Sequence, residues 1–272
     1  MNLPLGRQNF YQEIEQPDAQ IDLAAATLYI AQEEYPDLDI DAYLNALDVM
    51  AAEVEERLPA ARYPLRMLQS LNQYFYEDLG FTGNITDYYN PHNSFFNEVI
   101  DQRTGIPITL SLVYLEVARR LDFPMVGVNM PGHFLIRPEF EGVGIFVDAF
   151  NRGEILFEQD CEVRLAQMYG RPVRLQSSFT GLVSHRQLLA RMLTNLKLIY
   201  LNRQDLSRAL AAIERILLLF PDAVRELRDR GLLYYQLGDS SKASQDLENY
   251  LAILPNAEDA DVIRRLLEKL SR

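Results

Sequence analysis

The chain has 272 residues, 48% hydrophobic and 24% charged, an ordinary balance for one large folded domain or two smaller ones, and its formal charge is −13. No run approaches the ~20 apolar residues of a membrane helix, and the acid excess excludes a broad basic face for nucleic acid. Cys161 is the only cysteine, so no internal disulfide forms, and residues 1–10 lack the apolar core of a secretory signal. A cytoplasmic chain is expected.

Charge is unevenly spread. Between Tyr11 and Ala60 thirteen acidic residues stand against one basic residue, Arg57. This is read as a solvated helical face or as a docking surface for a basic partner. Apolar residues recur at helical spacing over 21–34, with Asp18 or Asp22 as the cap, and Tyr35-Pro36 breaks the run. The period resumes over 40–58 and again over 64–78, giving three helices before a loop marked by Gly80 and Gly83. An irregular aromatic segment from Asp87 turns into a short helix over 95–102, capped by Asn93 or Ser94. A further helix begins near Ile106, capped by Thr104 or Gly105, with Pro107 in the first turn where no amide partner is missed. It runs to about Leu121 and is apolar on most sides.

The period then changes. Residues 125–129, 133–137, 144–148 and 154–157 are β-prone and are separated by turns at Pro131-Gly132, Glu141-Gly142 and Asn151-Arg152-Gly153. They predict a small antiparallel sheet against a central helix. A connecting segment, 159–178, follows. From Ser184 the chain is helical and repeats itself at an offset of 34: Tyr200 with Tyr234, Asp205 with Asp239, Ala209 with Ala243, Phe220-Pro221 with Leu254-Pro255. That is the period of tetratricopeptide repeats, helical hairpins in which small residues allow close packing. Residues 259–272 form the terminal cap. The fold class is α+β, with a core domain over 1–180 and an all-α repeat segment over 181–272. The apolar helices 188–201 and 209–219 are expected to dock on the core.

Four motifs stand in order: Asn93-Ser94-Phe95-Phe96-Asn97-Glu98-Val99, Arg103-Thr104-Gly105-Ile106-Pro107-Ile108-Thr109-Leu110-Ser111, Pro131-Gly132-His133-Phe134 and Asp148-Ala149-Phe150-Asn151. With the helical repeats, they make the chain resemble the bacterial SirB family, a transglutaminase-like core followed by tetratricopeptide repeats, over about residues 21–272. The wider superfamily uses Cys, His and Asp in that order, the Cys near a helix start. The resemblance places His133 at the histidine and Asp148 at the aspartate. The cysteine falls at or next to Pro107. It also implies binding residues at Asn93, Ser94, Gly105, Thr109 and Asn151.

The other chemistry is thinner. Thr109 and Ser111 carry hydroxyls on the same helix, but mid-helix hydroxyls mostly bond back one turn. Ser94 reads as a cap rather than a nucleophile, and Cys161 lies in an acidic setting far from any comparable helix start. His92, His133 and His185 are dispersed, so no metal site is expected, and no glycine-rich loop has the strand-to-helix context of a nucleotide or other cofactor site. The leading expectation is a non-enzymatic interaction protein on a transglutaminase-like scaffold, engaging protein partners through the repeats or the cleft. The alternative is a hydrolase or acyl transferase for amide or peptide-like substrates, with His133 as base and Asp148 orienting it.

Overall fold

The computed structural model describes residues 4–140 and 144–271. Among them are twelve α-helices and six short strands, and the chain divides after Leu189 into two compact units. The fold is α+β, a first unit of helices with two small sheets and then a second unit of helices. The turn expected at Glu141-Gly142 lies outside the described residues.

Four helices, not three, precede the motif region. The additional one, α1 (Leu5–Ile14), starts after Pro4 and packs on α2 (Leu23–Gln32). Of its large apolar residues only Phe10 and Ile14 are buried, while Leu5 and Tyr11 are exposed, so its periodicity is faint. Asp22 caps α2, accepting the Ala25 amide at 2.9 Å. Asp18 acts elsewhere, as described below. Asp39 caps α3 (Ile40–Glu55) in the same way, at 3.1 Å from the Ala42 amide.

The run expected over 64–78 is a helix, α4 (Pro64–Asn72), that widens into a π-turn at Gln73–Asp78. The wider turn keeps three consecutive aromatics, Tyr74, Phe75 and Tyr76, buried. Phase changes of this kind are frequent at functional sites. Phe75 stacks on Tyr114 with centroids 5.2 Å apart. A parallel pair follows that the sequence did not announce: β1 (Thr82–Gly83) against β2 (Thr104–Gly105). Between them lies α5 (Phe96–Gln102), ended by Arg103 in the left-handed conformation (φ 54°).

The central helix α6 (Pro107–Arg120) is buried at every residue from Pro107 to Ala118. Its neighbours include the edge of a four-stranded antiparallel meander, β3 (Met125–Val128), β4 (Leu135–Pro138), β5 (Ile145–Asp148) and β6 (Glu154–Phe157), in that spatial order. The segment expected as a connector contains a helix, α7 (Glu158–Tyr169), which is a correction. Asp160 reaches back to the Phe157 amide at 2.8 Å and so starts it.

Helix α8 (His185–Asn202) crosses the division, and the second unit continues with α9 (Leu206–Leu219), α10 (Val224–Gln236), α11 (Ser240–Ile253) and α12 (Ala260–Leu270). The 34-residue repeat reappears bond by bond. Asp205 caps α9 through the Arg208 amide, and Asp239 caps α11 through the Lys242 amide, each at 3.2 Å. The Asp205 amide bonds the Tyr200 carbonyl and the Asp239 amide the Tyr234 carbonyl, both at 2.9 Å. Ala209 and Ala243 are fully buried.

Candidate functional site

Asp148 ends β5 with its side chain at 0% exposure. A buried carboxylate needs partners for each lone pair, and this one has them. Oδ1 accepts from His133 Nε2 at 2.8 Å and from the amides of Phe150 at 3.1 Å and Asn151 at 3.2 Å. Oδ2 accepts from Asn151 Nδ2 at 2.7 Å and from the Arg164 guanidinium. Burial pushes the carboxyl upward, but His133, Arg164 and Asn151 outweigh it and hold Asp148 well below the usual carboxylate range.

His133 lies in the turn before β4 rather than on the strand, because Gly132 takes a left-handed conformation (φ 73°) and the His133 amide closes onto the Met130 carbonyl. With the Nε2 proton directed at an ionised carboxylate, Nδ1 is the basic nitrogen. Nδ1 makes no hydrogen bond among the described residues, and the side chain is 20% exposed. The edge of the ring meets Phe150 (centroids 6.3 Å apart), and Phe150 meets Tyr88 at 6.0 Å.

Contacts lead from this ring to the start of α6. Gly83 pairs with Gly105, and a Cβ on Gly83 would stand 2.6 Å from the Phe150 ring and 2.7 Å from its carbonyl oxygen. Only glycine lets β1 approach so closely. At α6 the cap is Ile106, not Thr104 or Gly105, and Thr109 closes it. The Thr109 hydroxyl accepts the Ile106 amide at 3.1 Å and donates to the Asn93 carbonyl at 2.7 Å. Asn93 in turn donates to the carbonyls of Asp87 at 2.8 Å and Tyr88 at 3.1 Å, tying down the loop that carries Tyr88 and Tyr89.

Neither Asn93 nor Ser94 caps α5, whose N-cap is Phe95. The Ser94 and Ser111 hydroxyls are buried with no hydrogen-bond partner among the described residues, so Ser111 does not bond back one turn as expected. Asp148, His133 and Asn151 therefore form one group, and Asn93, Gly105 and Thr109 a neighbouring one. Arg164 was missed by the sequence reading because α7 was. It joins Asp148 to Glu154 (2.6 Å) from the second turn of that helix. The Asp160 cap, followed by the apolar i, i+4 pair Cys161 and Leu165, was the available signal.

Cys161 also differs from expectation, since it stands in the first turn of α7. It is fully buried, in the cluster that includes Leu135, Phe146 and Leu165. Burial pushes its thiol up to about 11; the nearby Arg164 charge opposes this, and Asp160, Glu158 and Asp148 reinforce it. A thiol so placed is a core residue, not a thiolate.

A family model described as transglutaminase-like superfamily matches residues 41–194, and one described as tetratricopeptide repeat matches residues 196–268. The UPF0162 protein of Xylella fastidiosa (strain 9a5c) is 38% identical over 262 residues, 93% of this chain and 92% of that protein. The UPF0162 protein of Vibrio cholerae is 29% identical over 81% of this chain and 80% of its own. F-box only protein 21 of Homo sapiens is 31% identical over 82% of this chain, which corresponds to 35% of that longer protein. No solved structure matches. With near full-length similarity to a UPF0162 protein, and with the two matched segments in this order, the chain belongs to the UPF0162 family, a transglutaminase-like domain followed by tetratricopeptide repeats.

Proposed function

We propose that the chain is a non-enzymatic interaction protein of the SirB type. In this reading the partly exposed surface at His133 is a recognition site, and the helical hairpins supply a protein-binding surface. The observation that carries it concerns the thiol. Pro107 opens the helix where the resembled superfamily holds its cysteine, and the one cysteine of the chain is sealed in the core. The His133–Asp148 pair then has no thiol to deprotonate. Its bare Nδ1, beside Phe150 and Tyr88, is a fixed hydrogen-bonding point for a partner group. Recurrence of the matching segment within a much longer F-box only protein fits a module used for its surface.

The test is quantitative affinity capture with wild type and His133→Ala in parallel. Partners retained by wild type and lost from a folded His133→Ala variant are the expected outcome. Identical partner sets would overturn the role given to His133.

A second reading rests on the same bare nitrogen. His133 acts as general base on water, oriented by Asp148, and a base alone contributes ~10²–10⁴-fold. Hydrolysis of p-nitrophenyl acetate or of a peptide amide by wild type, abolished in His133→Ala, would favour this reading over the first.

A further inference from the structure

β3 is the edge strand of the meander, and only part of its outer edge is used. Period-two alternation fixes which backbone groups face outward. The Glu139 amide bonds the Pro124 carbonyl on the β4 side at 2.9 Å, and the Val183 amide bonds the Gly127 carbonyl on the other side at 3.0 Å. Met125 and Gly127 therefore present their backbone outward. The Gly127 carbonyl is taken by Val183. Leu182 pairs antiparallel with Val128, so Val183 already covers the edge at Gly127, and the open stretch is at Met125, whose amide and carbonyl make no hydrogen bond on that side among the described residues. An open edge of this kind is a template for a further strand.

A cavity of about 400 Å³ lies along that edge. Leu23, Leu115 and Leu188 give it apolar walls. Its charged lining is Asp22, Glu116 and Glu139 against Arg119, whose guanidinium is held by Glu116 at 2.9 Å. Glu116 is nearly sealed and is also satisfied by Arg120 at 2.6 Å. Asp22 and Glu139 form no salt bridge among the described residues, although Asp22 caps α2 and its charge also favours the Arg119 guanidinium. Asp22 also belongs to the segment with thirteen acidic residues and one basic one.

We propose that this edge is a docking site for an extended peptide segment with basic side chains, which adds a short strand to β3. Main-chain bonds to Met125 would supply affinity, and Lys or Arg heads set against Asp22 and Glu139 would supply selectivity. The aliphatic stems of such side chains suit the apolar walls. The site is separate from the His133–Asp148 pair and stands or falls independently of it.

The experiment titrates the full chain into fluorescein-labelled Val-Lys-Val-Lys-Val-Lys, read by polarisation, with Val-Glu-Val-Glu-Val-Glu as the opposite-charge probe. Saturable binding of the lysine peptide alone is expected. The Asp22→Asn, Glu139→Gln double variant keeps a competent cap on α2 and weakens binding roughly three- to tenfold. Met125→Pro removes an outward donor at the first strand position, where proline is tolerated, and weakens it at least about tenfold. The amide resonance of Met125 shifts on titration. No binding, equal binding of both peptides, or undiminished binding by the charge variant would overturn the proposal. Self-association of the chain without peptide binding would assign the edge to a second copy and overturn it as well.

Discussion

Asp148 accepts five hydrogen bonds through two oxygens, and its charge is what the surrounding residues are arranged to hold. Its folded-state pKa is depressed, so the native state binds the proton less readily than the unfolded chain, whose carboxyl titrates near 4. The stabilisation is therefore complete at neutral pH and is lost as pH falls below about 4 toward the folded value. Urea midpoints of wild type should decline across that acid range, and those of Asp148→Asn should decline less. At pH 7 Asp148→Asn leaves Arg164 facing a neutral amide but still paired with Glu154 and 26% exposed, and is expected to cost about 2–3 kcal/mol. His133→Ala leaves Asp148 four donors, so its expected cost is smaller, about 1–2 kcal/mol by the same measurement. The two residues are thus expected to differ, with the aspartate contributing more to stability than the histidine.

Among the elements, the β1–β2 pair sets the distance between the two groups of site residues. Gly83→Ala drives a methyl into the Phe150 ring, and overpacking of this kind costs about 1–3 kcal/mol. Its second expected effect is a displaced Phe150, read as a shifted His133 imidazole resonance. The repeat offers the opposite case. Gln204 and Gly238 occupy equivalent turn positions 34 residues apart, and both are left-handed, at φ 58° and 83°. Gln204→Gly should stabilise the second unit by about 0.5–1 kcal/mol, and Gly238→Gln should destabilise it similarly, both read from thermal midpoints. These hairpins and the meander were legible because their periods, 34 and 2, leave a direct trace in residue order. α1 and α7 were not, since each buries only one or two large side chains and carries others on its exposed side, Leu5 and Tyr11 in α1 and Val163, Met168 and Tyr169 in α7, which blurs the helical period. The loss of α7 concealed Arg164 and the helix start on which Cys161 stands, although the acidic setting read around that thiol is present. The site's order of motifs could be read, but its caps could not. Asn93, Thr109 and Ile106 close the α6 start through bonds as much as 16 residues apart in sequence, which local signals do not reveal.

At the scale of the molecule, α8 runs through the division after Leu189, and its start is built from a distant part of the first unit. Asp18 accepts the amides of His185 at 3.1 Å and Arg186 at 3.0 Å, across more than 160 residues. Asp18→Ala should cost about 1 kcal/mol and raise hydrogen exchange in the first turn of α8 while leaving α10 to α12 unchanged. No described helix is long and apolar enough to cross a membrane. The solitary thiol has a use unrelated to catalysis. Cys161 is sealed in the first unit and the second unit has no cysteine, so a disulfide reagent reacts only when the first unit opens. When reclosing outpaces the reagent, the labelling rate is a clock for that opening, slowing about tenfold for each 1.4 kcal/mol of stability. The same clock sorts substitutions by unit: Gly83→Ala and Asp148→Asn quicken it, and Gln204→Gly leaves it running at the wild-type pace.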